Sequence, residues 1–113
     1  MKCLSTYGSR WLCGAFIVCL AVLNPVAAQN FKSGSFTTSD GVKLNYLEAG
    51  SSGPTLVLIP GWSQTAIQFK HQLAGLSDKF HVYAIDMRGH GDSDKPDHGY
   101  RIHRLSADVH EFL

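Results

Sequence analysis

Beyond Cys19 the chain has no cysteine. Its three thiols, Cys3, Cys13 and Cys19, crowd into the N-terminal segment, so the rest can form neither a disulfide nor a thiolate metal site and must fold by core burial alone. Charge of one sign is equally scarce. A formal net charge of +1, with no Lys/Arg run and no basic helix face, leaves nothing to grip a phosphate backbone, which excludes nucleic acid as a partner. The six histidines (His71, His81, His90, His98, His103 and His110) show neither H-x-x-x-H nor H-E-x-x-H spacing, so no metal site is expected. Internal repeats and low-complexity tracts are missing as well.

What is present is globular in character. With 113 residues, 44% hydrophobic and 17% charged, the chain is apolar enough to build a core and too short for more than one domain. Residues 1–28 read as a removable secretory signal. Lys2 and Arg10 form a positive lead, Trp11 to Leu23 an apolar core, and Val26-Ala27-Ala28 a small-residue site before Gln29. The apolar stretch is shorter than the roughly 20 residues of a membrane span, and Asn24-Pro25 interrupts any extension. Cleavage after Ala28, a secreted product and no stable membrane insertion afterwards are therefore expected.

Residues 30–34 (NFKSG) look like a polar lead-in. From Ser35 to Ala49, the turn signal Ser39-Asp40-Gly41 separates two β-prone runs, an antiparallel hairpin. Val42, Leu44 and Tyr46 alternate with Lys43, Asn45 and Leu47, predicting a strand buried on one face. Thr55 to Ile59 and Phe80 to Ile85 are continuous apolar runs apart from His81, which suits parallel strands covered on both sides. Between them Ala66, Phe69, Leu73 and Leu76 mark one helical face, with Ser63 as the expected N-cap. A strand, a helix and a strand in this order make a βαβ unit with a right-handed crossover. After a loop rich in glycine and aspartate, Ile102, Leu105, Val109 and Phe112 mark a second helix.

The run TLVLIPGWSQTAIQFKHQLAGLSDKFHVYAIDMRGHGDSDKP, Thr55 to Pro96, closely resembles the N-terminal part of an α/β-hydrolase. The likeness extends from about Phe36 to Leu113, in the order hairpin, strand-PGW-helix, strand-DxRGxGxS. It implies an α/β fold of which residues 29–113 hold the first part, an incomplete doubly wound sheet. Two apolar parallel strands need neighbours and helices on both faces, and a segment this short can bury only about two-thirds of its surface. A truncated domain is expected, ending before the nucleophile turn, for no G-x-S-x-G string occurs anywhere in the chain.

The resemblance also implies roles. In the family the turn after the first parallel strand usually reads His-Gly-X, and the backbone N–H of X helps form the oxyanion hole. By position X is Trp62, with Pro60 in place of the usual His. Gly61 would let substrate approach closely, and the Trp62 ring would line the substrate pocket. The loop Asp86, Arg88, Gly89, Gly91 and Ser93 would be a scaffold beside the nucleophile turn, its polar groups bonded to loop backbone. Gly91-Asp92-Ser93-Asp94-Lys95 lacks the closing glycine of a nucleophile turn, so Ser93 is a poor nucleophile. Gly89-His90-Gly91 lacks the third glycine of a dinucleotide fingerprint. Asp92, Asp94 and Asp97 lack the central Gly and terminal Glu of a calcium loop and read as solvated turn carboxylates. His71, His103 and His110 read as exposed helix positions, and the catalytic His of the family lies later in chain order than residue 113.

The branch resembled is that of the esterases and non-haem haloperoxidases, which implies Ser-His-acid hydrolysis of small esters without a cofactor. An Asp nucleophile, giving epoxide hydrolysis or dehalogenation, is the alternative. A third possibility is a catalytically inactive product, since one oxyanion donor without nucleophile and base performs no acyl transfer.

Overall fold

A computed structural model describes residues 30–113; the expected signal, residues 1–28, lies outside the described residues. The chain runs through β1 (Lys32–Thr37), β2 (Lys43–Ala49), β3 (Thr55–Leu58), α1 (Lys70–Leu76, entered through a 3-10 turn at Ala66–Phe69), β4 (His81–Ile85) and α2 (Ile102–Phe112). The four strands form one mixed sheet in the order β1-β2-β4-β3. β1 and β2 make the antiparallel hairpin, β3 and β4 pair in parallel, and β4 inserts antiparallel against β2. A hairpin joined to a parallel strand-helix-strand unit in one mixed sheet is the arrangement that the resemblance implied.

The side chains of β4 alternate across the sheet and so divide its two faces. Val82 and Ala84, both fully buried, pack with Leu73 of α1, Ala66 and Ala49. On the opposite face Tyr83 meets Tyr46 and Phe112, ring centroids 5.6 and 5.3 Å apart, and Phe36 stands 5.1 Å from Phe112. Aromatic pairs at such separations contribute about 1 kcal/mol each beyond the area they bury. α1 thus covers one face, and the C-terminal end of α2 covers part of the other.

Three local expectations differ from the structure. β1 starts at Lys32, inside the supposed lead-in, because Lys32, Ser33 and Gly34 continue the hairpin register opposite Glu48, Leu47 and Tyr46. Backbone pairing extends a ladder whether or not its side chains are apolar. Asn45, assigned by alternation to the polar face of β2, is buried, because the loop after β4 closes over it. Ser63 is not an N-cap. The chain first turns away from the end of β3, so Ser63 takes a left-handed φ of 65° and the helical turn begins only at Ala66.

Candidate active site: a clamped turn beside an apolar cleft

Pro60, Gly61, Trp62 and Ser63 follow the carboxyl end of β3, the end at which open α/β sheets bind ligands. The turn is held at three amides. Gln64 N–H donates to Gly61 O at 3.1 Å, Ser63 N–H to His90 Nε2 at 3.1 Å and Ala66 N–H to Asp86 Oδ1 at 2.6 Å. The Trp62 N–H donates to nothing among the described residues. The residue is 70% exposed, and its ring meets His90 edge-on, 5.1 Å between centroids. Gly61 has no left-handed φ, and a Cβ there would meet nothing within 4 Å. Its value is the open space it leaves.

Asp86 and His90 both belong to the DxRGxGxS loop, so that loop reaches into the turn. Asp86, 3% exposed, is a junction of three segments. Besides Ala66 N–H, its carboxylate accepts from Asn45 Nδ2 at 3.0 Å and from Asp92 N–H at 3.1 Å. A Cβ on Gly91, whose φ is +51°, would fall on this carboxylate, so glycine is required by both space and backbone conformation. Ser93 is spent on the backbone. Its hydroxyl donates to Asp86 O at 2.5 Å and accepts from Asn45 N–H at 2.8 Å, an arrangement that gives a nucleophile neither a base nor access. Asp94 is exposed, as expected of a turn carboxylate, and also accepts from Lys43 N–H at 2.8 Å, securing the start of β2.

Arg88 points away from the turn and into the molecule. Fully buried, it donates Nε and Nη2 to Asp108 at 2.5 and 2.6 Å, and Nη1 and Nη2 to Asp40 at 2.9 and 3.0 Å. Arg104 continues the chain of charges to Asp108 at 2.8 Å and to Glu111 at 2.6 Å, and Glu111 accepts from Ser39 N–H at 2.6 Å. The hydrogen bonds from Arg88 hold the Asp40 carboxyl well below the usual carboxylate range, and the Asp108 and Asp40 carboxylates raise Arg88 further above its already high value. Ser39 N–H, with Arg104, holds Glu111 down to about 2. The network ties the hairpin turn to α2.

Beside the clamped turn lies an apolar cleft of about 290 Å³ between the end of β3, Met87 and His90 of the loop, and the Ile102, Leu105 and Val109 side of α2. Among the described residues no group of three His, Cys, Asp or Glu could hold a metal ion, and no helix is long and apolar enough to cross a membrane. Trp62, whose N–H has no acceptor among the described residues, lies at the wall of this apolar cleft. Attack and proton transfer need groups that these residues do not supply.

The sequence motifs pointed to Gly61, Trp62 and the loop, but not to Asn45, Asp40, Asp108 or the contacts of His90. Asp108 had a signal: it lies three residues after Leu105 and four before Phe112, a carboxylate on an apolar helical stripe, which demands a buried cationic partner. Asn45 had none, because its cover comes from residues more than forty positions away.

The chain is similar to known hydrolases. The chain is 41% identical over 75 residues to epoxide hydrolase A of Mycobacterium tuberculosis, covering 63% of this chain and 23% of the relative. It is 32% identical over 83 residues to N-formylmaleamate deformylase of Pseudomonas putida, covering 73% of this chain and 31% of the relative. The crystal structure of epoxide hydrolase A from Mycobacterium thermoresistibile superposes with a TM-score of 0.67 at 39% identity, over 74% of this chain and 27% of that one. The chain thus spans about a quarter of the length of the curated relatives it first matches. The profile of the alpha/beta hydrolase fold covers residues 54–113, more than half of the chain, and the chain belongs to the α/β-hydrolase fold family.

Proposed function

We propose that this chain supplies the oxyanion side of a secreted hydrolase that opens small apolar epoxides. The observation that carries the proposal is the Trp62 N–H, which has no acceptor among the described residues and stands between pinned segments at the edge of an apolar cleft. A fixed backbone donor gains its effect where charge develops on an ester-type intermediate, and fixing it beforehand removes the cost of reorganisation. The epoxide hydrolase relatives favour an Asp nucleophile over Ser, and the nucleophile and base would come from outside residues 1–113. Gly61 leaves room for the electrophile, and the Trp62 ring and Met87 supply apolar walls.

Small-ester hydrolysis through a Ser nucleophile is the second reading, supported by the likeness to a deformylase. A single turnover of the whole protein in ¹⁸O-labelled water separates the two. An Asp nucleophile passes its own unlabelled oxygen to the first diol formed. Diol carrying solvent oxygen in that first turnover would exclude the Asp nucleophile, and no diol at all, with activity on a chromogenic acetate ester abolished by a serine-hydrolase inhibitor, would sink the epoxide reading. Secretion is checked by an N-terminus at Gln29 in the exported protein.

A further inference from the structure

The ring of His90 is bonded at both nitrogens. Nδ1 lies 3.0 Å from the carbonyl oxygen of Arg88, and Nε2 lies 3.1 Å from the backbone nitrogen of Ser63. A carbonyl can only accept and a backbone N–H can only donate. Both bonds form together in one state of the ring, the neutral imidazole with its proton on Nδ1 and a lone pair on Nε2.

Ser63 follows Trp62 directly, and its φ of 65° is a left-handed conformation that is unfavourable for a residue with a side chain. That conformation has to be held by its surroundings. The Gly61 to Gln64 bond closes the turn locally but does not fix it relative to the sheet, and Asp86 takes hold only at Ala66. His90 grips the amide immediately after the proposed donor, and its ring also touches that of Trp62. The guanidinium of Arg88 is locked between two carboxylates, so the carbonyl that orients the imidazole belongs to a rigid residue.

We infer that His90 is a positioning residue of the oxyanion turn. Held as the Nδ1–H tautomer by Arg88 O, it fixes the Ser63 amide and thereby the direction of the Trp62 N–H. This role rests on the hydrolase reading for its catalytic consequence, but the clamp itself does not.

The test uses the whole protein in three forms: unchanged, His90→Ala and His90→Gln, the glutamine placing a carbonyl oxygen near the position of Nε2. Long-range proton–nitrogen NMR should find His90 protonated at Nδ1 and bare at Nε2. Amide exchange at Ser63 should quicken roughly tenfold in His90→Ala and stay within about threefold of the unchanged protein in His90→Gln. Ala66, held by Asp86, is the internal control for folding and should not change in either. On an epoxide substrate, kcat of His90→Ala should fall roughly tenfold to a hundredfold with KM within about twofold, because a misdirected donor weakens the transition state more than the ground state. The glutamine variant should recover most of it.

An Nε2–H tautomer, or Ser63 exchange unchanged in His90→Ala, overturns the clamp. Faster Ser63 exchange with unchanged kcat overturns the positioning role. Failure of the unchanged protein to open epoxides overturns the proposed function instead, and exchange and tautomer then decide the clamp.

Discussion

Asp86 concentrates the most consequence in one side chain. Its carboxylate receives donors from β2, from the first helical turn and from its own loop, and two of those donors, Ala66 N–H and Asn45 Nδ2, are buried. Removing the acceptor strands them without water, and stranded buried donors cost about 1–3 kcal/mol each. Asp86→Ala should therefore lower stability by about 3 kcal/mol, read from urea unfolding, and should speed amide exchange at Ala66. An unchanged unfolding midpoint would mean that the donors find other acceptors. The motif pointed to this aspartate as loop scaffold, yet its reach to Ala66, twenty positions back, was not legible. The spacing of the motif describes only the loop, and the acceptor's partners come from other elements. Ser63 illustrates the same limit. As a small hydroxyl residue before an apolar helical face it has the makings of an N-cap, but the path out of β3 forces it into a left-handed conformation, and a carboxylate from another loop takes over the capping.

α2 is held chiefly by charge and by one aromatic ring. Asp108, facing Arg88 and Arg104, is its buried residue, Phe112 enters the aromatic cluster, and Ile102 at the other end is 78% exposed. Breaking a buried ion pair from one side leaves a charge in low dielectric, at a cost of about 3–5 kcal/mol. Arg88→Met should cost about 3 kcal/mol, near the lower end of that range, because Arg104 still faces Asp108. Combining it with Asp108→Leu should cost less than the two separate losses added, since the double variant buries no orphaned charge. Urea unfolding of the four proteins checks the pair. Additive losses would show that Arg88 and Asp108 act independently. The helix was legible from the spacing of Ile102, Leu105, Val109 and Phe112, but what it packs on was not. That stripe faces the cleft for most of its length, so periodicity correctly marked an amphipathic helix while overstating how much of its apolar side is covered.

For the molecule as a whole, the charge network links the hairpin turn, the loop after β4 and α2, and it makes stability depend on acid. Asp40 and Glu111 both titrate lower in the folded chain, Glu111 at about 2. A depressed carboxylate contributes stability that is fully present above its unfolded value, near 4, and is lost as pH falls through the folded one. The unfolding midpoint should hold steady above about pH 5 and drop progressively towards pH 2, with Asp40→Asn flattening part of that slope; a midpoint independent of pH over this range would exclude the network as a stabilising element. The sequence by itself determined the order of strands and helices, the Asp40-Gly41 turn, the glycines of the loop and the family resemblance. Each of these rests on local periodicity or on residues close together in the chain, where spacing carries the physical constraint. Only the tertiary structure decided that β4 lies between β2 and β3, that Arg88 turns inward to Asp40 and Asp108, and that His90 grips Ser63 and Asp86 grips Ala66 in the segment after β3. These contacts join residues twenty to fifty positions apart, and a buried donor takes whichever acceptor the packing brings within about 3 Å, regardless of where that acceptor sits in the sequence.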